Sequence, residues 1–141
     1  MSMVARVIFS EASSICAESE RFFVASVIKN RVGHIGFGKK KTMEDVVTMP
    51  RQFSCIGDLG NQNWNNSGKY DESGFVPDAD KSAWNNAVLL SQGLFEPCKG
   101  IVYYHDKSIR KPRSWDNKYW KAVSAFETKH FIFYKVIEKS K

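Results

Sequence analysis

An acid stands where a buried helix face calls for a hydrophobe. From Met3 to Ser10 the apolar residues Val4, Val7 and Ile8 recur at helical spacing. Glu11 is the next residue on that stripe, at i+7 from Val4, i+4 from Val7 and i+3 from Ile8. A helix that buries this face takes the carboxyl out of water with it. Desolvation disfavours the charged form, so the pKa of such an acid rises. A carboxylic acid still protonated near neutral pH can give its proton to a leaving oxygen. The alternative is structural: a buried Glu11 paired with Arg6, Arg21 or Arg31. The pattern alone leaves both readings open.

Ser13 and Ser14 break the first helix. Glu18 to Val32 predicts a second, with Val24, Ile28 and Val32 on one stripe and Gly33 as its stop. After a Gly- and Lys-rich loop, Thr42 opens a short helix that ends before Pro50. Gly57 to Pro77 is rich in Gly, Asn, Ser and Asp around Trp64, Tyr70 and Phe75, and predicts a long functional loop or an insertion. Asp78 is the expected cap of a helix from Ala79 to about Gln92. Ile101–His105 and His130–Val136 predict strands. The expected class is α+β, mainly helical with a small antiparallel sheet near the C-terminus, in a single domain over residues 1–141.

Composition narrows the function classes. The 141 residues are 43% hydrophobic and 13% aromatic, enough for one real core and against a disordered or fibrous chain. No stretch approaches the roughly 20 apolar residues of a membrane span, so no stable membrane insertion is expected. The opening segment lacks a basic leader and Arg6 interrupts its apolar run, so no signal peptide is expected and synthesis is cytoplasmic. A net charge of +6 favours a polyanionic partner such as nucleic acid, anionic lipid or the bacterial wall. The dense runs Lys39–Lys41 and Arg110–Arg113 read as solvated loops. Cys16, Cys55 and Cys98 form no CxxC pair and read as buried free thiols, with neither a zinc site nor a disulfide framework. None of the three histidines has metal-ligand spacing, so no metal or cofactor is expected. Gly33–Gly38 is no phosphate loop, and Ser13, Ser14 and Cys16 sit in no nucleophile elbow.

Three further clusters carry chemistry. In Pro50–Ser54, Gln52 and Ser54 flank Phe53, offering amide and hydroxyl contacts to a sugar beside a stacking ring; the plainer reading puts Phe53 in the core. In Tyr103–His105, strand alternation puts Tyr103 and His105 on one face and Tyr104 on the other, and the first face is the one expected to line a groove. Further on, His130, Ile132 and Tyr134 share a face. A lone strand histidine is more often structural.

Together these pieces resemble a known family. Ala5-Arg-Val-Ile-Phe-Ser-Glu-Ala-Ser13, followed by a helix ending Val27-Ile-Lys-Asn-Arg-Val32, resembles the opening of the cell wall hydrolase family of spore cortex-lytic enzymes. Arg51-Gln-Phe-Ser54, Gly100–His105 and Lys129–Tyr134 resemble its later segments, in order and over nearly the whole chain. The resemblance implies a lysozyme-like fold related to lytic transglycosylases, and a single catalytic acid cleaving between N-acetylmuramic acid and N-acetylglucosamine. By position that acid is Glu11, with Gln52, Phe53, Ser54, Tyr103, His105, His130 and Tyr134 as substrate-binding residues. The expected partner is peptidoglycan glycan strands, with no nucleic acid, and the chain is expected to be a monomer. Gly57–Pro77 departs from the family in being longer than expected, and no peptidoglycan-binding repeat accompanies the chain, so wall affinity falls to the groove and the net charge. A basic wall enzyme without a leader fits a phage endolysin released through a holin, the preferred reading, or a germination enzyme packaged in a spore or an injected effector.

Hydrolysis needs a second carboxylate, usually at roughly 5 to 10 Å. Asp58, Asp71, Glu72, Asp106, Asp116 and Glu127 are candidates, but none lies on an apolar stripe as Glu11 does. A transglycosylase avoids that need and leaves a 1,6-anhydro sugar; a lysozyme-type muramidase is the alternative. The reading from a different class is a non-catalytic basic module for sugar or nucleic acid. That would need stacking aromatics within a basic stripe, whereas the aromatics here lie mostly on apolar faces.

Overall fold

The computed structural model describes residues 2–50 and 52–139; Arg51, which opens the expected Arg51–Ser54 segment, lies outside the described residues. Helix α1 (Met3–Glu11) forms on the expected stripe. Its start is capped by the Ser2 hydroxyl, which accepts from the Ala5 amide at 3.1 Å. Val4, Ala5, Val7, Ile8 and Phe9 are all buried, so burial extends beyond one face. Helices α2 (Glu18–Arg31), α3 (Met43–Val47), α4 (Gln62–Ser73) and α5 (Asp78–Ser91) pack against it. Phe9 meets Tyr70 and Trp84 edge-on, each with ring centroids 5.8 Å apart. Deleting a buried ring of this kind costs about 3–5 kcal/mol.

Helix α4 corrects the expectation of a loop over 57–77. Its sequence is polar almost throughout, and only Trp64, Ser67 and Tyr70 are buried along it. Tertiary contacts supply what propensity lacks. The Arg6 guanidinium of α1 lies 3.7 Å over the Trp64 ring, and its Nε and Nη2 donate to Ser67 Oγ and the Trp64 carbonyl at 3.0 and 3.1 Å. Gly68 makes room for that arginine, since a Cβ there would come within 2.9 Å of Nη2. Asn61 caps the helix by accepting from the Trp64 amide at 2.9 Å. Asp78 proves to be the first residue of α5 and not its cap; Pro77 holds the cap position, with no side-chain bond.

Strands β1 (Tyr103–Asp106), β2 (Trp120–Glu127) and β3 (Phe131–Glu138) form an antiparallel sheet in the order β1-β3-β2. The α+β class and the C-terminal sheet are as expected. Strand β2 is new. Its residues mix Lys, Ser and Ala with larger apolar side chains, and a register shift between Ser124 and Phe126 breaks the alternation that would have signalled it. Strand β3 begins one residue after His130, which lies in the turn before it.

Glu20 ties the start of α2 to that turn. Its Oε2 accepts from Thr128 Oγ1 at 2.6 Å and from the His130 amide at 2.9 Å, and its Oε1 lies 2.8 Å from His130 Nδ1. Burial alone would raise this carboxyl, but the donors on Thr128, His130 and Ala17 outweigh it and hold its pKa at about 2. A lowered carboxylate pKa adds stability that is complete above the ordinary value of 4.5 and is lost as pH falls toward 2. Glu20→Gln should therefore be less stable than wild type at pH 7, by about 3 kcal/mol at most. Urea unfolding across pH should show the gap closing between pH 4.5 and 2; a gap independent of pH would mean that the ionised carboxylate is not what holds the turn.

Candidate active site

Helix α1 delivers Glu11 as its last residue, where the partial negative charge of the helix end already disfavours a carboxylate. Part of the side chain faces a cavity of about 580 Å³, and protein crowds the rest. Burial pushes its pKa up to about 7, against lowering influences from the Cys55 thiol, the Arg31 charge and the Tyr104 hydroxyl. The Cys55 thiol is in turn pushed up to about 12, by burial first and then by Glu11. It is a neutral donor beside the acid.

Arg31, the last residue of α2, is buried at 5% exposure. Its Nε donates to the Val102 carbonyl at 2.8 Å and its Nη1 to Gln52 Oε1 at 3.1 Å. The guanidinium lies 4.5 Å over the Phe37 ring. Burial lowers its pKa, while Tyr104, Tyr103 and Glu11 oppose that fall. It stays a cation at neutral pH.

The cavity gathers most of the expected residues. Gln52, Phe53, Ser54, Tyr103 and His105 all line it with Glu11. Gln52 has its oxygen engaged by Arg31, so its amide NH₂ is the part left to offer. Phe53 is 6% exposed and serves the core as much as the cavity wall. His105 Nδ1 donates to the Asp106 carbonyl at 2.7 Å, because a carbonyl can only accept. In the neutral ring that leaves Nε2 to accept from the Tyr134 hydroxyl at 2.8 Å. Tyr134 thus stands behind His105 and is not among the residues lining the cavity.

One expectation is extended and one corrected. Both faces of β1 reach the cavity: Tyr103 and His105 line it as expected, and Tyr104, not expected there, lines it from the other face and lowers the Glu11 pKa. His130 does not join the cavity: it sits in the β2–β3 turn, where Glu20 captures it.

Sequence reasoning missed Trp115 on the cavity wall and Cys55 beside the acid. Trp115 stacks on Tyr103 with ring centroids 4.4 Å apart and planes 15° apart, and forms one wall of the cavity. A lone Trp in a charged loop carries no periodic signal. Of the six acids that could assist Glu11, Asp106 alone lines the cavity. It accepts from the Ser108 amide at 2.8 Å, and its pKa is lowered chiefly by bonding from Ser108. The cavity therefore holds one acid that keeps its proton near neutrality and one that does not.

The Glu11 shift carries a stability consequence. Between the ordinary value of 4.5 and about 7 the folded protein holds a proton that the unfolded chain has released, so stability falls as pH rises through that window. Glu11→Gln should match the wild type below pH 4.5 and exceed it above pH 7, by about 1–3 kcal/mol. Thermal melts at pH 4 and pH 8 check the sign; a variant less stable than wild type at pH 8 would mean that Arg31 outweighs burial.

A family model described as Cell Wall Hydrolase matches residues 17–134. No curated protein matches the chain, and no solved structure does. The matched stretch holds Arg31, Gln52–Ser54 and the Tyr103–His105 strand but begins after Glu11, so the acid rests on its geometry while the cavity around it falls within the match. With most of its length matched in this way, the protein belongs to the cell wall hydrolase family, the enzymes that degrade peptidoglycan.

Proposed function

We propose that Glu11 is the acid/base of a lytic transglycosylase that cleaves between N-acetylmuramic acid and N-acetylglucosamine. The observation that carries this reading is a carboxyl at the end of a largely buried helix, facing an open cavity, where burial pushes its pKa up to about 7. Protonated, Glu11 gives its proton to the glycosidic oxygen as the bond breaks. As a carboxylate it then takes the proton of the muramic acid 6-hydroxyl, which attacks its own anomeric carbon. The nucleophile is tethered to the reacting sugar, so its effective concentration is high. Arg31 steadies the carboxylate between the two steps through its charge. Ser54, Tyr103 and the Gln52 amide are neutral groups placed to orient sugar hydroxyls and N-acetyl groups, and Trp115 offers a flat face for a pyranose ring.

A second reading rests on Asp106. An ionised carboxylate on the same cavity can activate water, and the enzyme would then be a muramidase leaving a reducing end. Mass spectrometry of digested sacculi separates the two. The transglycosylase yields ends about one water lighter than reducing ends, and Asp106→Asn keeps most of its activity. Reducing ends alone, together with an inactive but folded Asp106→Asn, would establish the muramidase.

Under either reading Glu11→Gln should lower sacculus clearing by about 10²- to 10⁴-fold in a folded protein. The wild-type rate should fall as pH rises through about 7, the value at which Glu11 loses its proton. Full clearing by Glu11→Gln would remove Glu11 from the mechanism.

A further inference from the structure

Away from the Glu11 cavity, three side chains able to bind metal come together. A Cys16 Sγ, a Glu20 carboxylate oxygen and a His130 ring nitrogen lie within 4.8 Å of one another. Cys16 and Glu20 are buried and His130 is partly so. With Ile15 and Lys129 they line a separate cavity of about 490 Å³ that shares no residue with that of Glu11.

The two oxygens of Glu20 are unequal. Oε2 is fixed by the Thr128 hydroxyl and the His130 amide, neither of which involves the imidazole. Oε1 faces His130 Nδ1 at 2.8 Å, with the Ala17 amide more distant at 3.2 Å. One proton therefore lies between a fixed carboxylate and the imidazole, with a thiol beside them. An ion replacing that proton would meet ligands already turned toward it. Hydrogen bonds that orient ligands in this way are a general feature of metal sites.

We propose that Cys16, Glu20 and His130 form a binding site for zinc or a chemically similar transition-metal ion. A thiolate, an imidazole and a carboxylate together suit Zn²⁺, whereas the thiolate disfavours Mg²⁺ and Ca²⁺. Bond lengths of about 2.0–2.3 Å require the ligand atoms to close to roughly 3.3–3.8 Å apart. Cys16 lies on the short link between α1 and α2, where Arg21 holds the Ser13 and Cys16 carbonyls at 3.0 Å each, so the remaining distance is closed by side-chain rotation. The fourth position faces the cavity and takes water. Binding releases the Cys16 proton to solvent, while the proton between Glu20 and His130 moves to His130 Nε2 as the ring changes tautomer, so affinity rises with pH. The ion joins α2 to the β2–β3 turn, 110 residues away in sequence. Its role is to cross-link the fold, with no part in breaking the glycosidic bond, and it stands whether or not Glu11 is the acid.

Titration of the metal-free full chain with Co²⁺ tests the site. The wild type should bind a single equivalent and develop a near-ultraviolet thiolate-to-cobalt band together with visible bands of tetrahedral intensity. Cys16→Ser should lose the thiolate band although Cys55 and Cys98 remain. His130→Asn keeps an amide donor in reach of Glu20 but removes the ligand, and should weaken zinc binding by more than about tenfold. Zinc should raise the wild-type melting temperature saturably, Mg²⁺ should leave it unchanged, and neither should move Cys16→Ser. Absence of the thiolate band, its retention in Cys16→Ser, or equal stabilisation of all three proteins by zinc would overturn the site.

Discussion

Helix α1 is enclosed on several sides. Helices α2, α3, α4 and α5 pack around it, and five of its nine residues are buried. A short rod held on several sides cannot slide or roll without opening the core, so the position of its final residue is fixed to within the play of one side chain. That residue is Glu11. The packing that stabilises the fold is thus also the agent that strips water from the acid, and the end of the helix dipole acts in the same direction. Core stability and acid chemistry here have one physical origin.

Arg31 sets how far that effect goes. A guanidinium bonded directly to Glu11 would hold it as an ordinary ion-paired carboxylate. Its bonds go to the Val102 carbonyl and Gln52 instead, and its face lies against Phe37. Glu11 feels the charge at a distance, and burial prevails. The same arginine joins the end of α2, the segment before β1 and the loop around Gln52, so the cavity walls share one electrostatic anchor.

Much of this was legible in the chain itself. The stripe of Val4, Val7 and Ile8 located α1 and marked Glu11 as out of place, and the longer stripe of α2 located Arg31. Local patterns failed where distant contacts decide. Helix α4 reads as a loop because its stability comes from Arg6, far away in sequence, which no periodicity within Gln62–Ser73 reveals. Strand β2 hides behind a register shift. Alternation divided Tyr103 from Tyr104 but could not say that both would reach the cavity, because that depends on how the sheet docks. His130 was misplaced for a related reason: its partner Glu20 belongs to another element, and nothing near His130 announces it.

Gly36 lies on the wall of the Glu11 cavity, with the Trp120 indole of β2 directly behind it. A Cβ at that position would stand 2.6 Å from Trp120 Cη2. The wall is therefore one backbone thick at this point, and any side chain there would have to displace the indole. Room to reshape the groove lies instead at Ile109 and Ser114, whose exposed side chains border the cavity with solvent in front of them.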